Sequence, residues 1–198
     1  MTKSEIRKEV RRRRQQLTVA EQRIAACRLG AHARKLRAFT SSQRVALYLA
    51  NDAEISPMWV VTHAQNAGKL CYAPIIFGNR KDSLLRFARW DTDRVWKANR
   101  YGIPEPDVPA STYVLPEALD LVFLPLVAFD SAGRRIGMGG GFYDRTLSAR
   151  ARRKHWRRPR LIGVAHECQR VDRIPADSWD VPLDGILTDQ RFYQLSSA

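Results

Sequence analysis

Apolar residues along this chain fall into two rhythms, helical spacing in some segments and short unbroken runs in others. In "SEIRKEVRRRRQQLT", Ile6, Val10 and Leu17 stand four and seven residues apart, which predicts a basic helix with one narrow apolar stripe. Thr18, with Glu21 three residues on, has capping-box form and starts a second helix reaching about Leu36. Residues 44–50 are an apolar run of strand length, and Pro57 suits the first turn of a helix closing near Gly68. "KLCYAPII" (69–76) predicts the next strand, and "LLRFARW" (84–90) alternates like a half-exposed one. "ANRYGIPEPDVP", with three prolines, reads as a loop. The most apolar run, "LDLVFLPLVAFD" (119–130), predicts a buried central strand with Pro125 at its end or at a bulge. A glycine loop follows, then a helix over about 142–153, and "RLIGVAH" (160–166) and "DGILTD" (184–189) give two more short strands. Strands alternating with helices predict an α/β fold with a mainly parallel sheet flanked by helices. With no internal repeat and no long linker, 198 residues predict one domain over 1–198.

Charge changes this picture locally rather than globally. The chain has 34 Lys and Arg against 20 Asp and Glu, a net +14. Seven of the basic residues lie in 1–14 and seven more in "SARARRKHWRRPR" (148–160), so the remainder is nearly balanced. Such stretches favour anionic partners and say nothing about fold. The second stretch, with Trp156 among arginines, also has a composition suited to a nucleic-acid backbone; a solvated helix end with Trp156 packed inward is the preferred reading. Cys27, Cys71 and Cys168 are odd in number and in no metal-ligand spacing, which predicts reduced thiols in a cytoplasmic protein. The charged N-terminus lacks the apolar core of a signal peptide, and no apolar run reaches membrane-spanning length. His32, His63, His155 and His166 show no metal spacing and receive no catalytic role.

The candidate chemistry sits in "DSAGRRIGMGGGFYDRTL", residues 130–147. This loop leaves the most buried predicted strand and enters a helix, the place where open α/β sheets bind ligands. Glycines let backbone N–H groups approach an anion, Arg134 and Arg135 can add charge-assisted bonds to phosphate, and Asp144 can hold Mg²⁺. No Lys or hydroxyl follows the glycines as a P-loop requires, and Phe142 stands where a dinucleotide fingerprint needs its third glycine. By glycine count alone a plain turn is as good a reading; the flanking arginines and Asp144 favour a nucleotide site.

"GRRIGMGGGFYDRTL" resembles the signature of the 5-formyltetrahydrofolate cyclo-ligases, the 5,10-methenyltetrahydrofolate synthetases. The resemblance runs in order through "KSEIRKEVRRR", "LYLANDAEISP", "GKLCYAPII", "YGIPEP", "LDLVFLPLVAFD" and "LIGVAHECQRV…IPADSWDVPLDGILTD". It implies a three-layer α/β arrangement of the NagB/RpiA/CoA transferase-like type. It implies a C–N bond-forming ligase that turns 5-formyltetrahydrofolate, with or without a polyglutamate tail, into 5,10-methenyltetrahydrofolate with ATP as co-substrate and Mg²⁺. In that chemistry ATP phosphorylates the formyl oxygen, N10 closes the ring, and ADP and phosphate are released.

Carried over residue by residue, the resemblance gives Arg135 and Asp144 catalytic roles. It places ATP against Lys3, Arg7, Arg135, Ile136, Gly137, Met138, Gly139, Gly140, Gly141, Phe142 and Tyr143. It places folate against Leu49, Glu54, Tyr101 and the stretch from Met138 through Gly139, Gly140 and Gly141 to Phe142. Asp144 and Asp184 match carboxylates associated with the metal. Relatives often carry a cation where this chain has Gly140, and Tyr where it has Phe142. A monomer or weak dimer is expected, with no membrane and no nucleic-acid partner. The rival reading is a nucleic-acid-binding protein working through the two basic stretches, which leaves the loop, Glu54 and Asp184 without a purpose.

Overall fold

A computed structural model describes all residues except 79–82, 92–94, 152–157, 176, 178–179 and 196–198. Helix α1 (Lys3–Gln15) starts at Thr2, whose hydroxyl accepts from the Glu5 amide while the Glu5 carboxylate accepts from that of Thr2. Its buried face is Ile6, Val10 and Arg14, not the predicted Ile6, Val10 and Leu17. The helix stops at Gln15, so the third position of a four-residue spacing is Arg14, while Leu17 lies in the connection to the next cap. Thr18 and Glu21 form the predicted capping box of α2 (Val19–Ala33), and a short α3 (Arg37–Thr40) follows.

Strand β1 (Arg44–Ala46) is shorter than its apolar run. Leu47 still donates to the Tyr72 carbonyl at 2.9 Å, but the chain then turns away toward α4 (Met58–Asn66), which Pro57 precedes as N-cap. Then come β2 (Leu70–Phe77) and β3 (Leu84–Arg89). The expected proline loop contains a two-stranded ribbon, β4 (Trp96–Ala98) against β5 (Pro104–Pro106). The long apolar run divides at Pro125: β6 (Leu121–Pro125) enters the main sheet, while β7 (Ala128–Phe129) pairs with β8 (Arg135–Ile136) as a separate hairpin. Helix α5 (Phe142–Ala151) follows the glycine loop, then β9 (Arg160–Val164), β10 (Gly185–Leu187) and an unpredicted edge strand, β11 (Phe192–Gln194).

The seven-stranded sheet has the order β11-β10-β9-β6-β1-β2-β3. Its five inner strands are parallel, and β11 and β3 pair antiparallel at the two edges. Alternation of side chains divides the core into two layers. Val45, Leu47, Cys71, Leu121, Phe123, Ile162 and Val164 pack with Leu29 of α2 and Val60 of α4. Ala46, Tyr72, Val122, Leu124, Leu161 and Ile186 face the other way, with Leu147 of α5. This is the expected three-layer α/β fold. A third cluster, Ile6 and Val10 with Val127, Ala128, Ile136 and Ile174, lays α1 over the β7–β8 hairpin at the carboxyl end of β6.

Of the second basic stretch, residues 152–157 with Trp156 lie outside the described residues. Arg150 donates to the Pro159 and Pro182 carbonyls at 2.7 and 3.2 Å, and Arg158 pairs with Asp120 at 2.9 Å, so two of its arginines hold structure together. Cys27, Cys71 and Cys168 are free thiols, and no helix among the described residues is long and apolar enough to cross a membrane.

Candidate active site

The hairpin delivers the glycine loop at the carboxyl end of the sheet. Gly139 (φ 98°) and Gly141 (φ 63°) occupy the left-handed region, where a β-carbon is disfavoured. A β-carbon at Gly137 or Gly139 would meet nothing within 4 Å, and Met138 is 51% exposed, so this side of the loop is open. Arg134 and Arg135, adjacent in sequence, part company. The guanidinium of Arg134 pairs with Asp130 at 3.4 Å, and the Arg134 amide donates to the same carboxylate, which closes the hairpin turn. Arg135 is buried and donates to the Val181 carbonyl and to Asp144 Oδ1. The Val181 amide donates to the same Oδ1 at 3.3 Å. Burial pulls the Arg135 guanidinium below its ordinary value, against the charges of Asp144 and Asp180.

Helix α1 supplies the other cations. Lys3 and Arg7, one turn apart, share a face. Lys3 Nζ lies 2.7 Å from Asp177 and 3.5 Å from Asp180, and Arg7 Nε donates to the Gly137 carbonyl at 3.0 Å. Lys3 and the Arg135–Asp144 pair are thus linked through Asp180, while Arg7 touches the loop itself at Gly137. Asp184 does not join them. It accepts from Arg150 at 2.5 Å and from the Leu161 amide at 2.6 Å, where β9 and β10 begin. Six residues of α5, about 9 Å of helix rise, separate Asp144 from Arg150. Among the described residues no group of three or more His, Cys, Asp or Glu is placed to hold a metal.

On the other side, Phe142 meets Tyr101 edge to face at 6.0 Å, with the Arg145 guanidinium 5.4 Å from the Phe142 ring and Arg100 5.3 Å from that of Tyr101. Tyr143 is half-buried, packed against the core near Glu54; loss of solvent first, and then the Glu54 charge, push its phenol well up. Glu54 sits in a turn where the Asn51 amide donates to its Oε2 at 3.1 Å and its own amide donates to the Asn51 carbonyl at 2.9 Å. Burial pushes the Glu54 carboxyl up to about 7, against the Asn51 amide and the Arg14 charge, with Asp52 adding to the rise. Leu49 is half-buried against the core next to this turn.

Four residues of the site escaped sequence reasoning. Asp177 and Asp180 fix Lys3, and Asp52 and Arg14 form an ion pair at 2.7 Å beside Glu54. A signal existed for Arg14, which continues the four-residue spacing of Ile6 and Val10. None existed for the aspartates, which are ordinary surface residues until distant segments meet.

A family model, that of the 5-formyltetrahydrofolate cyclo-ligase family, matches residues 1–189. The chain is 38% identical over 187 residues to a 5-formyltetrahydrofolate cyclo-ligase of Haemophilus influenzae, covering 93% of this chain and 96% of that one. It is 31% identical to the corresponding protein of Escherichia coli, covering 93% and 99%. Among solved structures, 5,10-methenyltetrahydrofolate synthetase of Aquifex aeolicus superposes with a TM-score of 0.82 at 30% identity, over 100% of this chain and 95% of that one. A synthetase from Mycoplasma pneumoniae shares the fold, with a TM-score of 0.72 at 23% identity over 96% of this chain and 99% of that one. A shared sequence over nearly the whole length, on a shared three-layer fold, settles the ancestry: the chain is a ligase that belongs to the 5-formyltetrahydrofolate cyclo-ligase family.

Proposed function

We propose that this enzyme converts 5-formyltetrahydrofolate to 5,10-methenyltetrahydrofolate at the expense of ATP, with Mg²⁺, in folate one-carbon metabolism. The observation that carries the reading is that Arg7 meets the glycine loop at Gly137 and the Arg135–Asp144 pair shares Asp180 with Lys3, while Phe142 at the end of the loop meets Tyr101 and the next residue, Tyr143, faces Glu54. One side suits a polyphosphate and the other a flat, polar-edged ring.

The formyl oxygen is a poor leaving group until it is phosphorylated. It attacks the γ-phosphorus, the bond to ADP breaks, and an iminium phosphate forms at N5. The N10 lone pair then bonds to the activated carbon, the C–O bond breaks with its electrons on phosphate, and the N10 proton leaves. Catalysis of this kind consists mostly of alignment and charge neutralisation. The amides of Gly137, Gly139, Gly140 and Gly141, with Met138 between, form the phosphate cradle, and Ile136 leads into it. Lys3 and Arg7 approach from α1. Arg135 holds Asp144 in place through its guanidinium. A Mg²⁺ ion that keeps its waters and rides on ATP phosphates needs only one or two protein carboxylates, and half-buried Asp144 fits that role. Bound there, the ion would supply neutralisation of phosphoryl charge. Asp184, tied to Arg150 at the far end of α5, supports the fold rather than the ion in this reading.

Tyr101 and Phe142 form an aromatic wall for the pterin, with Leu49 as an apolar neighbour. Glu54, held near 7, lies in the range where a carboxylate exchanges a proton at neutral pH.

The test is the absorbance of the methenyl product. Purified protein with 5-formyltetrahydrofolate should show it with MgATP and not without ATP. A flat trace under both conditions removes the proposal.

A further inference from the structure

Helix α1 reaches the site at both of its ends. Its first turns carry Lys3 and Arg7 to the phosphate side. About 10 Å further along, by helix rise, its last turns close on a single carboxylate, that of Asp52. Arg11 Nε donates to Asp52 Oδ2 at 2.8 Å, Arg14 Nη2 to the same oxygen at 2.7 Å, and Gln15 Nε2 to Oδ1 at 2.8 Å. Arg14 is fully buried, and its Nε and Nη1 have no hydrogen-bond partner. Packing does not explain that choice. A Leu or Met at position 14 would extend the Ile6–Val10 stripe without the cost of a desolvated cation.

What the pair grips explains it better. Asp52 (φ 49°) and Ala53 (φ 58°) both lie in the left-handed region, which residues with a β-carbon avoid unless their surroundings impose it. Glu54 follows directly. The turn is also fastened from below, where the Tyr48 hydroxyl donates to the Ile55 carbonyl at 2.5 Å, and buried His166 contacts the Ala53 backbone. Burial opposes ionisation of Asp52, but Arg11, Gln15 and the Arg14 charge outweigh it and hold the carboxyl below its ordinary value.

We propose that Asp52 and Arg14 are positioning residues, a clamp thrown from α1 onto the left-handed turn. The clamp presents Glu54 to the folate and keeps it in register with the Lys3–Arg7 end of the same helix. This rests on the folate-side role of Glu54 proposed above. The charged and titratable groups facing Glu54 are Arg14 from α1, Asp52 from its own turn, Tyr48 after β1 and Tyr143 from α5. The Arg14 cation draws protons off Glu54, and the Asp52 anion favours them. Loss of the Arg14 charge therefore raises the Glu54 titration, whereas loss of the Asp52 charge lowers it.

The experiment measures initial rates of methenyl formation by the full chain across pH, with each substrate varied. Wild type is compared with Asp52→Asn, Arg14→Gln and Arg14→Lys. Asp52→Asn is expected to raise KM for 5-formyltetrahydrofolate by about tenfold while KM for ATP stays within about twofold, the pattern of a lost ground-state contact to one ligand. The pH midpoint of kcat/KM for folate should fall in Asp52→Asn, rise in Arg14→Gln, and stay near wild type in Arg14→Lys, which keeps the charge. Mere destabilisation would not move two midpoints in opposite directions. If Arg14→Gln does not fold, Asp52→Asn and Arg14→Lys still decide the question. An unchanged folate KM in Asp52→Asn, or midpoints that fail to separate, overturns the clamp while leaving the activity standing. A wild-type protein inactive with MgATP overturns the folate reading, and the clamp with it.

Discussion

On the proposed phosphate side the glycine loop stands open, whereas on the proposed folate side the turn carrying Glu54 is gripped by three side chains of α1. Neither Gly137 nor Gly139 would bring an added β-carbon within 4 Å of another group, while a single Asp52 carboxylate receives Arg11, Arg14 and Gln15. The contrast fits the two roles proposed for these sides. A polyphosphate brings several acceptors and is best met by amides free to close on it. A lone carboxylate near a flat ring works only at a fixed place and ionisation state, and a rigid support supplies both.

The largest effect should come from breaking the phosphate side at its anchor. Asp144→Asn removes the carboxylate that Arg135 holds, and kcat should fall by roughly 10²–10³-fold, the loss typical when a charge-stabilising group is removed. Steady-state rates at saturating substrates check this, with the far-UV circular dichroism spectrum as the control for folding. Next, Gly141→Ala forces a β-carbon at φ 63° and places it 2.7 Å from Arg145 Nη1. KM for ATP should rise about tenfold, matching the roughly 1–2 kcal/mol left-handed penalty. An ATP KM that does not move would show that the loop has no need of this conformation.

The folate side makes a prediction of opposite kind, on stability. The Glu54 carboxyl binds its proton more tightly in the fold (about 7) than at its ordinary value of 4.5, so the folded state loses stability as pH rises between these values. Glu54→Gln cannot titrate. Its melting temperature relative to wild type should therefore be more favourable at pH 8 than at pH 5. A difference that stays flat with pH would mean that Glu54 is not held in this environment. The smallest effect sharpens the comparison from within the loop. Arg134 is spent on Asp130 at 3.4 Å, so Arg134→Ala should leave both KM values within about twofold, as changes away from a site do. A large rise in ATP KM would reassign this arginine to phosphate.

Legibility in the sequence followed the distance over which each feature is encoded. The cap at Thr18, the inner strands and the glycine loop rest on neighbours within a few residues, and periodicity and turn chemistry reveal such features. Strand β7 was hidden inside one apolar run, because a strand bending out of the sheet at Pro125 stays as hydrophobic as one remaining in it. The end of α1 misled in the same way. Leu17 looked like the buried residue, yet the fold buries Arg14, whose charge is tolerable only because Asp52 arrives from 38 residues away.

Asp184 shows the same limit from the other direction. Its place in a matching motif says nothing of where it points, and the chain turns it to Arg150 at the far end of α5. The sequence by itself determined the alternation of strands and helices with a mainly parallel sheet, the glycine-rich connection after the apolar run and the basic character of α1, since each depends on local spacing and composition. Only the tertiary structure decided which carboxylates meet which cations. Ion pairs and burial depend on through-space distance, and residues far apart along the chain share a dielectric environment only once the chain has folded.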